Sequence, residues 1–147
     1  KGNVTKSIKD SQIRIKQLQD KLLNLNNNST LATVFVTQNI DRVKKEASKS
    51  NKIIVCLDSN HTHDHVLTEL EAYAPLTSPG SYCIVFDTVI EDMPLEMNKN
   101  RSWGPGNSPK TAVKEFLEKN IEFEIDKTIQ DKLLITAAPD GFLRRKL

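Results

Sequence analysis

The sequence contains few of the residues that define several common classes of protein. Its 147 residues include two cysteines and no apolar run near the roughly 18 residues of a membrane-spanning helix, so no transmembrane segment is expected. Cys56 and Cys83 each lie inside an apolar stretch and are predicted to be buried free thiols, which excludes a disulfide scaffold. The first ten residues are polar, so no signal peptide is expected and a cytoplasmic location is predicted.

The charge balance and the low glycine content exclude two further kinds of function. The chain carries 21 basic and 19 acidic residues, a net charge of +2. This even balance provides no electrostatic attraction for nucleic acid, so no nucleic-acid partner is expected. Neither a GxGxxG nor a GxxxxGK[ST] motif is present, so the glycine-rich loops that bind phosphate groups are absent from the sequence.

Hydrophobic periodicity divides the chain into two units. Over residues 5–25, apolar residues recur at spacings of 7, 3, 4 and 3, which is typical of an amphipathic helix or a short coiled coil. An asparagine-rich linker follows, so we predict an N-terminal unit over residues 1–30 and an α/β domain over 31–147. In the second unit, near-continuous apolar stretches alternate with helical patterns, which indicates strands buried on both faces.

The α/β domain is predicted to contain an open, mostly parallel sheet, because helices connect its first three strands. A hairpin around the PDG turn predicts an antiparallel C-terminal edge. The predicted elements are strands at 31–38, 53–58, 82–87 and 122–126, helices at 40–51, 64–76 and 108–120, a long loop at 88–107 and a hairpin at 132–147.

Two successive predicted strands end in aspartate, at Asp58 and Asp87. Ligands of open parallel sheets bind beyond the carboxyl ends of the strands, and neighbouring strands lie about 4.8 Å apart. The two carboxylates, with Thr88 as a further oxygen ligand, therefore predict a Mg²⁺ site. The alternative is that each aspartate only ends its strand and caps the helix or turn that follows.

The three histidines of the chain alternate at His61, His63 and His65. This spacing differs from the i, i+4 arrangement of a helical zinc motif, so a zinc site is not predicted. His61 follows Asp58 by three residues, in the loop at the strand end, and is the candidate general base. The other two histidines are predicted to lie at the start of the next helix.

Several uncommon segments of the sequence occur in the order seen in a known family. They are LDSNHTHDHVLTELEAYAPLTSPGSYCIVFDT, WGPGNSPKTAVKEFLE, FEID and KLLITAAPDGFLRR. Over residues 52–147 the chain resembles the cephalosporin hydroxylase / rhamnosyl O-methyltransferase family. The resemblance implies the Rossmann-like fold of S-adenosylmethionine-dependent methyltransferases, with a seven-stranded sheet that ends in an antiparallel hairpin.

The resemblance also implies a divalent metal, usually Mg²⁺, at the ends of the fourth and fifth strands. Asp58 and Asp87 match those ligand positions. Thr88 stands where the catechol O-methyltransferase type has an amide residue. Phe86 occupies a position where some relatives carry a glutamate, so a third carboxylate ligand is not expected from it.

The methyl-donor half of such an enzyme is not visible in the sequence. Methyltransferases of this class bind the donor with a glycine-rich loop and two acidic strand ends, whereas Gly2 is the single glycine before position 53. The chain is therefore expected to be the C-terminal part, or a degenerate copy, of such an enzyme. Gln38 and Asn39, in the loop predicted after the first strand, and Asp58 are the expected donor contacts.

Two functions follow from these observations. The first is an S-adenosylmethionine-dependent, Mg²⁺-assisted O-methyltransferase that acts on a hydroxyl of a sugar, a glycolipid or a small natural product. The second is a truncated, catalytically inactive domain that serves as an interaction or dimerisation module. An incomplete sheet would expose an edge strand, so a homo-oligomer is a further expectation.

Overall fold

The centre of the structure is a mixed sheet of four short strands. The computed structural model describes residues 28–147. The order across the sheet is β1-β2-β4-β3, and the strands are β1 Val55–Leu57, β2 Tyr82–Val85, β3 Phe123–Ile125 and β4 Phe142–Arg145. Strands β1 and β2 are parallel, whereas β4 runs antiparallel to β2 and β3. The α/β fold class, with its antiparallel C-terminal strands, is confirmed.

One end of this sheet collects the chain segments that leave β1 and β2 and the segment that enters β4. Leu57 pairs with Val85, and Phe142 pairs with Ile84 one residue further back. The amide of Phe86 also donates to the carbonyl of Leu57, at 3.0 Å, and extends the ladder by one residue. We call this end of the sheet the tip end.

Two helices, His63–Tyr73 and Pro109–Lys119, pack against each other and supply buried residues to the core. The helices are α1 Asn28–Ala47, α2 His63–Tyr73, α3 Pro109–Lys119 and α4 Lys127–Leu133, with short 3-10 helices at Ala74–Leu76, Thr88–Asp92 and Leu95–Asn98. Leu70, Val85, Phe116 and Leu143 are buried in one apolar cluster. None of the helices of the described residues is long and apolar enough to cross a membrane.

Helix α3 begins where the sequence predicts it. Ser108 accepts a hydrogen bond from the Thr111 amide, and the Thr111 hydroxyl accepts one from the Ser108 amide, which forms a capping box. Pro109 occupies the first turn, where no amide hydrogen is needed. These local signals made this helix predictable without any knowledge of its tertiary contacts.

The predicted strand at 31–38 is wrong, because α1 covers this segment. The β-propensity of its valines amounts to about 1 kcal/mol at most and depends on a neighbouring strand. Val36 instead continues the helical stripe of Val43 and Ala47, and α1 packs against α2. The predicted loop at 38–39 is therefore also wrong, and those two residues lie within the helix.

The tight hairpin predicted at 132–147 is also wrong in its first half. Helix α4 extends to Leu133, and β4 begins only at Phe142. Asp126 starts α4, since its side chain accepts from the Thr128 amide at 3.0 Å. No place in the sheet remains next to β4, because β2 and β3 occupy both of its sides. The antiparallel pair is built from β3 and β4 and is joined by a helix. The helix predicted at 5–25 lies outside the described residues.

The two cysteines differ in exposure, so the prediction of two buried thiols is wrong for Cys56. Cys83 is fully buried, whereas Cys56 is exposed on β1, the edge strand of the sheet. Burial raises the pKa of the Cys83 thiol to about 12. Very little reactive thiolate therefore forms at this position in the native protein.

Thiol labelling is expected to detect one reactive cysteine per chain in the native protein and two in denaturing urea. The measurement is the release of thionitrobenzoate from Ellman's reagent at mildly alkaline pH. In the variant Cys56→Ser, the native signal is expected to disappear while the signal in urea falls to one thiol. Rapid labelling of both thiols in the native protein would contradict the buried position of Cys83.

Candidate metal centre

Three potential metal ligands meet at the tip end of the sheet. They are Asp58, His61 and Asp87, whose ligand atoms all lie within 4.8 Å of one another. Asp58 follows β1 directly, and Asp87 lies two residues beyond β2. The parallel register of the two strands therefore brings residues nearly thirty positions apart to one site.

The backbone of Asp87 is in an uncommon conformation. Its φ of 56° and ψ of 23° place it in the left-handed region, which aspartate tolerates better than most residues. The Ile90 amide donates to its carbonyl at 3.1 Å and begins the 3-10 helix Thr88–Asp92. Strained backbone of this kind is found preferentially at functional sites, so the conformation supports a role for Asp87 beyond ending a strand.

His61 lies between a carboxylate and an aromatic ring. Its Nδ1 is 3.4 Å from Oδ2 of Asp87. The Trp103 ring contacts it edge to face, with 5.0 Å between centroids, and the guanidinium of Arg101 lies 5.3 Å from the Trp103 centroid. The loop at 88–107 therefore supplies a wall of the site.

Hydrogen bonds hold this loop in place. Glu91 accepts from the Gly106 amide at 2.9 Å and from the Ser108 hydroxyl at 2.7 Å. Asn107 accepts from the His63 amide at 2.9 Å, which connects the loop to the start of α2. The loop that carries Trp103 is thus tied both to the segment after Asp87 and to the segment after His61.

We call Asp58, His61 and Asp87 the three-residue group. Thr88 and Phe86, which flank Asp87, do not belong to it. Thr88 is fully buried, and its hydroxyl donates to the Pro139 carbonyl at 2.7 Å. Its role as a ligand stays a prediction. Phe86 is partly exposed and offers no oxygen ligand. His61 was predicted as a general base but not as a metal ligand, although it is a member of the group. Its position three residues after Asp58, in the loop at the same strand end, could have indicated that second role.

His63 and His65 lie in the first turn of α2, where the sequence predicts them. His63 connects α2 to α3, because Nδ1 lies 2.8 Å from Thr111 Oγ1 and Nε2 lies 3.2 Å from Glu115 Oε2. His65 lies 2.8 Å from the hydroxyl of Ser59, on the loop that follows Asp58. Both histidines therefore support the architecture around the site and lie outside the three-residue group.

The chemistry of the three side chains fits a divalent cation. Among the side chains and amides that the structure describes, none forms a hydrogen bond or ion pair with the Asp58 carboxylate, so its oxygens are available. Two carboxylates are oxygen ligands of the kind that Mg²⁺ prefers. The imidazole of His61 would either complete the ligand set or act beside it on a bound substrate.

The fold and the site together define a class of protein. The mixed sheet, with β4 reversed between β2 and β3, is consistent with part of a Rossmann-like methyltransferase fold. A family model described as Rhamnosyl O-methyltransferase/CmcI matches residues 4–146, and the chain belongs to this family. The match begins well before residue 52, where the resemblance read from the sequence starts.

Curated relatives share the family name. The chain is 33% identical over 111 residues to the Rhamnosyl O-methyltransferase of Mycobacterium tuberculosis (strain ATCC 25618 / H37Rv), which covers 75% of this chain and 42% of that protein. The Rhamnosyl O-methyltransferase of Mycobacterium leprae (strain TN) is 31% identical over 111 residues, covering 76% and 45%. The chain thus spans less than half the length of these relatives. No solved structure matches it.

Proposed function

We propose that the chain contributes the metal and acceptor half of an S-adenosylmethionine-dependent, Mg²⁺-assisted O-methyltransferase. The observation that carries this proposal is the meeting of Asp58, His61 and Asp87 at the strand ends, in a member of this family. The acceptor is a hydroxyl of a sugar, a glycolipid or a small natural product. The relatives' name favours a rhamnosyl group as the acceptor.

The proposal assigns cation binding to the two aspartates and proton transfer to His61. Asp58 and Asp87 hold the cation through their carboxylates, and Asp58 also borders the methyl donor. A bound Mg²⁺ would supply a lower pKa and a fixed orientation for the acceptor hydroxyl. Asp87 orients the His61 ring through Nδ1. This leaves Nε2 to accept the hydroxyl proton, and a bound donor would supply the methyl group, with its sulfur keeping the electron pair of the broken sulfur–methyl bond.

Two of the proposed donor contacts lie on a helix and not in a loop. Gln38 and Asn39 stay predicted donor contacts. They were predicted from an expected loop at the end of a strand, whereas both residues lie on α1. Asn39 Oδ1 accepts from the Arg42 guanidinium at 3.3 Å. Within the described residues β1 lies at an edge of the sheet, and this observation favours the second candidate function, an interaction module.

Titration of the protein with S-adenosylmethionine, with every segment that its gene encodes present, separates the two candidate functions. Micromolar binding by isothermal calorimetry would support the enzyme. Millimolar or no binding would support the module. Within the described residues β1 is an edge strand, and Ile54, the residue just before it, is 60% exposed, so this edge is suited to pairing with another chain. The oligomeric state, measured by sedimentation, then tests whether that partner is a second copy.

The variant His61→Gln is expected to retain Mg²⁺ binding but lose methyl transfer. General-base catalysis contributes about 10²–10⁴-fold, so the rate should fall by that factor while the Mg²⁺ affinity changes by less than about twofold. The measurements are calorimetry with Mg²⁺ and transfer of labelled methyl to methyl α-L-rhamnopyranoside. His65→Gln, in the same segment, is the matched control. A clear loss of Mg²⁺ affinity in His61→Gln would identify His61 as a ligand and contradict its role as a base.

A further inference from the structure

One charged side chain is buried in helix α2. Glu69 is only 6% exposed and is buried in this helix together with Val66 and Leu70. Burial separates a carboxylate from water, and hydrogen bonds offset only part of that cost. An apolar side chain of similar volume often stabilises such a position at least as well. Packing of the core therefore does not explain a glutamate at this position.

One oxygen of Glu69 holds the loop that follows β1. The Ser59 hydroxyl donates to its Oε1 at 2.9 Å, and Nε2 of His65 lies 2.8 Å from the same hydroxyl and 3.5 Å from Oε1. Because a hydroxyl has a single hydrogen, His65 is the donor in its contact with Ser59. Oε2 of Glu69 has no hydrogen-bond partner among the described residues. The shortest contact of this carboxylate is therefore the hydrogen bond from Ser59.

The loop after β1 carries two members of the three-residue group, Asp58 and His61, and the residues between and after them anchor it. Asn60 accepts from the amide and the hydroxyl of Thr62, at 2.9 Å each, which shapes the turn. These two bonds are local and span only two residues. Ser59 instead bonds to a residue ten positions away, in the body of α2. The side chain of Ser59 therefore ties this loop to the core.

The direction of the Asp58 carboxylate depends on the backbone at either side of it. Among the described residues no group forms a hydrogen bond or ion pair with this carboxylate. On one side the backbone is held by the pairing of β1 with β2. On the other side the next residue is Ser59, which Glu69 holds, and Asp58 and Glu69 line one cleft between α1 and β1. Loss of the bond to Ser59 would free that side of Asp58 and loosen its spacing from Asp87.

We infer that Glu69 is a positioning residue for the metal centre and acts through the Ser59 hydroxyl. It fixes the backbone beside Asp58, and with it the separation of the Asp58 and Asp87 carboxylates that a cation requires. The inference rests on the proposed function, since it needs a cation at the three-residue group. Removal of a residue that orients a metal ligand commonly costs about 10–100-fold in affinity. The lower end of that range applies here, because Glu69 acts on the residue next to the ligand.

The first test replaces Glu69 by residues that remove or keep the acceptor. Glu69→Leu removes it at similar size, so the Mg²⁺ affinity should fall about tenfold. Glu69→Gln keeps an oxygen for the Ser59 hydroxyl and should bind Mg²⁺ within about threefold of the wild type. Isothermal calorimetry measures both variants, in the protein with every segment that its gene encodes. The unfolding temperature without Mg²⁺ distinguishes positioning from folding, because Glu69→Leu should unfold at no lower temperature than Glu69→Gln.

The second test removes the other end of the hydrogen bond. Ser59 is exposed, so Ser59→Ala leaves the core intact, and it should also weaken Mg²⁺ binding about tenfold. Two residues that act through one bond have non-additive effects. The double variant Ser59→Ala, Glu69→Leu should therefore bind Mg²⁺ about tenfold more weakly than the wild type, and not about a hundredfold. His65→Gln keeps a side-chain N–H for the Ser59 hydroxyl and should bind like the wild type.

Glu71→Gln is the matched control, because it removes the charge of an exposed acid on the same helix and should leave the Mg²⁺ affinity unchanged. Equal affinities of the wild type and Glu69→Leu would overturn the inference and leave the proposed function standing. Equal losses in Glu69→Leu and Glu69→Gln would also overturn it, because the charge and not the hydrogen bond would then be responsible. The same holds for additive losses in the double variant. A wild type that does not bind Mg²⁺ would overturn both the inference and the proposed function.

Discussion

The double variant Asp58→Asn, Asp87→Asn is expected to bind Mg²⁺ about a hundredfold more weakly than the wild-type chain, a difference of about 2.7 kcal/mol. Asparagine keeps the size and one oxygen of each side chain but removes both negative charges, which supply most of the attraction for a hard cation. Isothermal calorimetry with Mg²⁺ measures the change. Equal affinities in the variant and the wild type would exclude a metal centre at these two residues.

A control with the same loss of charge separates this site from a general effect of net charge. Asp64 and Glu96 are exposed acids outside the three-residue group, so the double variant Asp64→Asn, Glu96→Gln should bind Mg²⁺ within about twofold of the wild type, because exposed charges are well screened by salt. If both double variants lose affinity equally, the measured binding reflects only diffuse attraction to an acidic surface.

The metal-free protein offers a second readout of the same carboxylates. Oxygens of Asp58 and Asp87 lie within 4.8 Å, and like charges at this distance repel each other by about 1 kcal/mol even in water. The variant Asp58→Asn, Asp87→Asn should therefore unfold at higher temperature than the wild type in the absence of Mg²⁺. Excess Mg²⁺ should raise the unfolding temperature of the wild type alone, because it binds only the intact site.

The meeting of Asp58 and Asp87 was predictable, because both carboxylates are local features of the sequence. Asp58 and Asp87 each end an apolar stretch, and the rule that ligands bind beyond the ends of parallel strands places them together. The contact between His61 and Asp87 was not predictable in the same way. It depends on the path of the loop that follows β1 and on Trp103, which arrives from a different segment of the chain.

The two errors in the predicted strands have tertiary causes. The valines of α1 favour a strand locally, but packing of the helical stripe against α2 decides for a helix. The apolar run that begins at Leu133 would need an unoccupied neighbour in the sheet to form a strand beside β4. That requirement is a tertiary property, and β4 already has β2 and β3 at its sides. The positive φ angles of Asp87 and Leu134 could not be predicted from the sequence either, since neither position holds the glycine that usually signals such a turn.

Gly141→Ala is expected to destabilise the fold by about 3–5 kcal/mol, near the upper limit for a single substitution. A β-carbon at this position would lie 2.2 Å from the backbone oxygen of Val85 and 3.2 Å from two atoms of Ala138. Relief requires movement of backbone, because the Val85 amide donates to the Gly141 carbonyl at 2.9 Å and Val85 pairs with Leu57. Urea unfolding followed by circular dichroism measures the loss.

Gly104→Ala provides the matched control for Gly141→Ala. Its β-carbon would meet only the Asn98 side chain, at 3.4 Å, which is an ordinary van der Waals contact, so a change below about 1 kcal/mol is expected. A small effect at Gly141 would mean that β2 and the turn before β4 can separate at little cost. Because Asp87 lies two residues beyond Val85, such freedom would also leave the metal carboxylates without a fixed spacing. Rigidity of this junction is therefore a condition for the proposed site.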